Sequence, residues 1–152
     1  DLRTGLGTGA SGGLGAGLAA VGATLKSRFE VFLDSGIYST DFDAKIAEVD
    51  LVITAEGSID FQTSHGKVPA EVARRAARAG VPVMGIAGSI GRGAEAVHEV
   101  GIDAITSIVN LPMPLADAIT NGQRLLTESA EQMVRTVLIG MSIAGPRYAK
   151  AA

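Results

Sequence analysis

Three short aliphatic and β-branched runs, spaced by helical stretches, constrain this chain more than any other feature. Asp50-Leu-Val-Ile-Thr54 reads as a buried strand, Val81-Pro-Val-Met-Gly-Ile-Ala87 as a second and Ala104 to Val109 as a third. A polar loop through Gly66 and a helix over Lys67 to Ala79 separate the first two, with Pro69 in the helix's first turn and Gly80 at its stop. A Gly-rich turn, Gly88 to Gly93, and a short helix over Ala94 to Val100, closed by Gly101, separate the second and third. Parallel strands need a crossover between them, and a helix of this length supplies one. The expected fold class is α/β, a mostly parallel sheet with flanking helices in Rossmann-like or flavodoxin-like layers.

The flanks are less regular. A long amphipathic helix from about Gln123 to Met141 should bury Leu125, Leu126, Met133, Val134, Val137, Leu138 and Met141 on one face. Near the start, Gly7 to Gly17 is rich in Gly and Ala and leads into a closely packed helix over Leu18 to Leu25. Ser27 and Glu30 have capping-box spacing, and Phe29, Phe32, Leu33 and Ile37 fit one helical face. A strand through Phe29, Val31 and Leu33 fits nearly as well. Thr40 to Glu48 reads as a short helix. The whole is expected as one α/β domain or fragment, 1-152.

Several function classes fall away on composition. The chain has 13 basic and 16 acidic residues, a net charge of -3, so nothing favours nucleic acid or an anionic membrane as a partner. No run reaches the roughly 18 apolar residues of a membrane span. The absence of Cys removes disulfides, thiolate metal sites and cysteine nucleophiles, and suits a reducing, cytoplasmic setting. Arg74, Arg75 and Arg78 make a basic helix face in which Glu71 can pair Arg75 at i,i+4. His98 reads as a surface or half-buried residue.

Three segments could carry chemistry. Gly7-Thr-Gly9-Ala-Ser-Gly12 matches G-x-G-x-x-G, whose glycines let backbone N–H groups approach a phosphate at a helix start. A close-packed turn explains it equally well. The dinucleotide version needs a preceding strand, and only six residues precede Gly7, which argues against an oxidoreductase. The second segment, Ala55 to Lys67, follows the first strand, where open α/β sheets hold their ligands. It packs Glu56, Asp60, Gln62, Thr63, Ser64, His65 and Lys67 into thirteen positions. Glu56 or Asp60 could ligate Mg²⁺ or act as general base, and Lys67 could meet a transferred phosphate. A solvated loop with Thr63 or Ser64 capping the next helix is the plainer alternative. Gly88 to Gly93, with Arg92, could form an anion nest or be turn chemistry alone.

At these residues the chain resembles the carboxyl-terminal portion of the bacterial glycerate kinase family. A G-A-G-A-A-G-G-x-G stretch appears as Gly7-Thr-Gly9-Ala-Ser-Gly12-Gly13-Leu-Gly15. The long D/T-L-V-I-T-G-E-G-R-I-D-x-Q-[TS]-x-x-G-K-x-P stretch appears as Asp50 to Pro69, P-V-I-G-I-A-G-S as Pro82 to Ser89, H-x-x-G-I-D-A as His98 to Ala104, and I-G-M as Ile139 to Met141. One departure stands out: where the family reads G-E-G-R, this chain has Ala55-Glu56-Gly57-Ser58 and lacks the basic side chain. The resemblance implies ATP and Mg²⁺ as cofactors and glycerate as the small-molecule substrate. It implies catalytic roles for Asp60, Glu56 and Lys67, with the first two as metal ligands. Gly7, Gly9, Gly12 and Gly13 would cradle an anion, and Gln62 and Thr63 would orient substrate. Family members run to about twice this length or more, and the chain opens on Asp1. The expectation is therefore a piece of a two-domain enzyme, inactive alone, with the remaining portion or a homodimer mate as partner. A non-catalytic anion- or nucleotide-binding module is the alternative.

Overall fold

A computed structural model describes residues 2–5, 7–34 and 41–144. The chain divides into two compact units, Asp1–Lys45 and Ile46–Ala152. Ile37 and Thr40, placed above in predicted helices, lie outside the described residues.

In the first unit, α1 spans Ala10–Ala20, but Ser11, Gly12 and Gly13 carry positive φ, so the regular right-handed turn resumes only at Leu14. The predicted helix over Leu18 to Leu25 therefore begins earlier and ends at Ala20. Val21 and Gly22 donate to the carbonyls of Leu18 and Ala19 and close it. Gly15 is needed for space: a Cβ there would collide with the carbonyl oxygen of Gly7. That contact lets Ala16 N–H donate to the Thr8 carbonyl at 3.0 Å, binding loop to helix. The described residues ahead of Gly7 form turns, not a strand. A π-helical turn, Glu30–Asp34, follows, so the segment around Phe29 and Val31 is helical rather than extended. Helix α2 spans Phe42–Ala47.

The second unit is the expected parallel α/β arrangement. Strands β1 (Val52–Ile59), β2 (Val83–Ile90) and β3 (Ala104–Ser107) pair in the order β1-β2-β3, all parallel. Helix α3 (Val68–Ala79) makes the first crossover, and a 3-10 helix, Ala94–Val100, makes the second. Pro69 sits in the first turn of α3, and Gly80 closes it in the left-handed conformation, where only Gly is unstrained. Its buried residues include three alanines, Ala70, Ala73 and Ala76, which let helix and sheet come close, together with Pro69, Val72 and Arg75. Helices α4 (Leu115–Thr120) and α5 (Gly122–Ala144) follow the sheet, and α5 packs on β2 and β3.

β2 is the middle strand and buries both faces, Val83 and Ala87 on one and Ile86 on the other. β1 pairs only with β2 among the described residues, and it alternates, with Thr54 buried and Ile53 and Ala55 exposed. Two expectations need correction. β1 and β2 run further than predicted, to Ile59 and Ile90, so Ala55–Ile59 and Gly88–Ile90 are strand rather than loop and turn. Helix α5 buries Leu125, Ser129 and Met133, whereas Leu126, Val134, Leu138 and Met141 stay exposed. No described helix is long and apolar enough to cross a membrane.

Candidate functional site

Both long strands end at the same edge of the sheet, and the loops that leave them are bonded to each other. Gly91 N–H donates to the Ile59 carbonyl at 2.7 Å, and Phe61 N–H donates to the Arg92 carbonyl at 3.1 Å. Glycines make this approach possible. A Cβ on Gly93, which has φ of +72°, would stand 2.7 Å from Phe61 Cβ, and one on Gly88 would stand 2.7 Å from the Gly57 carbonyl oxygen. The Gly-rich segment after β2 thus acts as a brace for the loop after β1. Arg92 contributes its main chain there, and its side chain is exposed.

Within the braced loop, Asp60 organises the geometry. Its N–H donates to Thr63 Oγ1 at 3.0 Å, and its Oδ1 accepts from Gln62 N–H at 3.0 Å and from Thr63 O–H at 3.4 Å. Thr63 is fully buried, so it anchors this loop rather than capping α3. Lys67, the residue just before α3, reaches back with its ammonium group to Asp60 Oδ1 at 3.1 Å and to the Ser58 carbonyl at 3.3 Å. These contacts explain an acidity change. The bond from Lys67 chiefly, then Gln62 N–H, the Lys67 charge and Thr63, hold the Asp60 carboxyl below its ordinary value of 3.8, against the opposing effect of burial.

The inventory of donors and acceptors is what leaves room for a ligand. Asp60 Oδ1 takes three donors, whereas Oδ2 has no partner among the described residues. An ammonium group carries three hydrogens, and two of those on Lys67 are committed. His65 Nδ1 lies 2.9 Å from the Phe61 carbonyl and 3.1 Å from the Ser64 hydroxyl, which ties the ring to this loop. Arg74 donates to the Ser64 carbonyl at 2.8 Å and ties α3 to the same loop.

Of the residues singled out from sequence, Asp60, Thr63 and Lys67 come together with the main chain of Gln62; the Gln62 side chain is exposed. Glu56 lies further back on β1, where its carboxylate accepts, among the described residues, only the neighbouring Gly57 N–H at 3.2 Å. Gly7, Gly9, Gly12 and Gly13 belong to the first unit. There Ser11, Gly12 and Gly13 carry positive φ in succession, and Ala10 N–H is already donated to the Gly7 carbonyl at 3.1 Å. Ser89 escaped sequence reasoning: its hydroxyl donates to Ser58 Oγ at 3.1 Å. Only strand register, Ser58 beside Ser89, makes that pair visible. Arg75 is another surprise. It bonds Glu71 at 2.9 Å as the spacing suggests, but at 7% exposed it is buried rather than part of the basic helix face.

Parallel strands with crossover helices, and an acid–base pair held at the strands' carboxyl ends, define an α/β protein of the kind that binds ligands at that edge. The comparisons narrow this class. A family model described as the glycerate kinase family matches residues 1–138, and the chain belongs to that family. A glycerate kinase of Halalkalibacterium halodurans is 47% identical over 127 residues, covering 84% of this chain and 33% of that enzyme. A glycerate 2-kinase of Escherichia coli is 38% identical over 146 residues, covering 95% of this chain and 37% of the enzyme. A crystal structure from Salmonella typhimurium LT2, assigned as glycerate kinase 2, superposes with a TM-score of 0.62 at 38% identity, over 89% of this chain and 32% of that one. The chain spans about a third of the length of the curated relatives it matches. The resemblance drawn from the sequence blocks is borne out at the level of family and fold.

Proposed function

We propose that this chain carries part of the active site of an ATP-dependent kinase that phosphorylates a hydroxyl of glycerate. The observation that carries the reading is the Asp60–Lys67 pair, with one carboxylate oxygen and one ammonium hydrogen uncommitted at the end of a parallel strand. Phosphoryl transfer asks little covalent chemistry of a protein; it asks for position and charge compensation. Lys67 offsets negative charge on the reactants, on phosphate or on the substrate carboxylate. Asp60, acidified by Lys67, stays ionised and is a weak proton acceptor, so its role is electrostatic. Glu56, further back on β1 and outside the Lys67 pair, is the other carboxylate for taking the proton of the attacking hydroxyl.

The donor set suits Mg²⁺ in one mode only. Among the described residues no group of three His, Asp or Glu side chains could cage a metal. Mg²⁺ at phosphate sites is commonly held by one or two carboxylates together with substrate phosphates and water, and the unpartnered Oδ2 of Asp60 meets that need. When bound, the ion neutralises and orients phosphate oxygens. The Gly7 to Gly13 turn offers backbone N–H groups to an anion.

The test is a chimera in which this chain replaces the matching third of the Halalkalibacterium halodurans enzyme. Glycerate-dependent ADP release is expected from it. Lys67→Met should lower kcat/KM by about a hundredfold or more, the usual cost of one charge-stabilising donor. An unchanged kcat/KM would place the charge-compensating site elsewhere, and ADP release indifferent to glycerate would refute the substrate class. The isolated chain is expected to give no turnover; repeated turnover by it would refute the need for further protein.

A further inference from the structure

Ser58 and Ser89 stand side by side on neighbouring parallel strands, near the carboxyl ends of both. Their hydroxyls are 3.1 Å apart, and Ser89 is exposed. Each hydroxyl has one hydrogen and two lone pairs. Whichever of the two donates to the other, one O–H of the pair is left over, and no acceptor among the described residues takes it. The main chain of the same residue belongs to the acid–base pair, since the Ser58 carbonyl accepts from Lys67 Nζ at 3.3 Å. Ser58 therefore presents a hydroxyl that need not be spent within the pair, on the residue whose carbonyl holds the Lys67 ammonium group.

We infer that the Ser58–Ser89 hydroxyl pair is a binding contact for the carboxylate of the acceptor substrate, and that it sets affinity for a small hydroxy acid rather than for the nucleotide. The inference rests on the function proposed above and adds the residues that select the acceptor. Charge is the reason for choosing a carboxylate. Lys67 is already half-engaged by Asp60, and the hydroxyl pair adds donors without adding positive charge. Neutral donors of this kind can meet the oxygens of a carboxylate by hydrogen bonding, whereas a polyphosphate relies more heavily on cations. The departure from the family pattern, serine where G-E-G-R has a basic residue, falls on this position. The neutral Ser58 is backed by a second hydroxyl from β2, which is a built arrangement rather than a simple deletion of charge.

Steady-state kinetics of the chimera described above separate the two substrates. Ser58→Ala should raise KM for glycerate about tenfold, as expected for loss of a hydrogen bond to a charged group. KM for ATP and kcat should change by less than about twofold. Ser58→Thr, which keeps the hydroxyl, should recover most of the affinity. Ser89→Ala, at an exposed position, should raise KM for glycerate about threefold by freeing its neighbour to rotate, and it serves if Ser58→Ala does not fold. An unchanged KM for glycerate, or a rise in KM for ATP instead, would overturn the inference. If the parent chimera releases no ADP, the functional reading fails separately. Calorimetric titration of parent and Ser58→Ala proteins with glycerate then decides the hydroxyl pair by itself: weaker binding to the variant supports it, and equal or absent binding overturns it.

Discussion

Thr63→Val tests whether the loop after β1 is held by a buried hydroxyl or merely by a filled space. Valine has nearly the shape of threonine, so the fully buried site keeps its volume and no cavity opens. What is lost is the acceptor for Asp60 N–H at 3.0 Å and the longer donation to Asp60 Oδ1 at 3.4 Å. A buried N–H left without its acceptor costs about 1–3 kcal/mol. Asp60 is partly open to water, which can take up some of the deficit, so about 1–2 kcal/mol is the expected loss. In urea unfolding this appears as a lower midpoint at unchanged slope, because the surface exposed on unfolding is the same. Thr63→Ser is the control: it keeps the hydroxyl and gives up one methyl group, at about 0.5–1.5 kcal/mol. The variants also differ at Asp60. Thr63→Val removes one of the bonds that acidify that carboxyl, so its pKa should rise while staying below the ordinary value, since Lys67, the larger cause, remains. A Thr63→Val protein as stable as its parent, with an Asp60 titration that does not move, would refute the reasoning.

Other expectations follow from the same contacts. Glu71→Ala removes a partner of the buried Arg75 and should cost about 2 kcal/mol or more, whereas Glu128→Ala, which breaks an exposed pair with Arg124, should cost at most about 0.5 kcal/mol; equal losses in denaturant titrations would count against the role of burial. Gly88→Ala should destabilise by about 1–3 kcal/mol by driving a Cβ into the Gly57 carbonyl and parting β1 from β2, measurable by thermal melting and faster amide exchange of both strands. Because the Asp60 carboxyl is more acidic folded than unfolded, its contribution to stability is complete above 3.8 and is lost as pH falls below that value through the folded pKa. Asp60→Asn should flatten that part of the acid-unfolding curve, and an identical curve would show the ion pair to be without effect on stability.

The alternation of strand and helix, the parallel sheet and the places of Gly80 and Gly101 were all legible without coordinates. Each rests on local chemistry: a β-branched run extends, and a glycine after a helix takes the left-handed conformation. Strand ends were not legible. Gly57, Ser58, Gly88 and Ser89 have little intrinsic preference for strand, and they are extended here because the two strands pair on through Ser58 and Ser89 to Ile59 and Ile90. The exposed aliphatic stripe of α5 escaped for a related reason, since helical periodicity reveals an apolar face without saying how much of it finds a partner.

The site divides in the same way. Sequence by itself determined that acid, amide, hydroxyl and ammonium groups crowd the stretch after the first strand, and motif order determined the family. Tertiary structure decided which of them act together. Asp60 and Lys67 are seven residues apart and meet because the chain between them folds back over a buried Thr63. Ser58 and Ser89 are 31 residues apart and meet because two strands pair in one register. Contacts of the first kind follow a local turn; those of the second exist only once the sheet has formed, since nothing in either segment alone encodes the register.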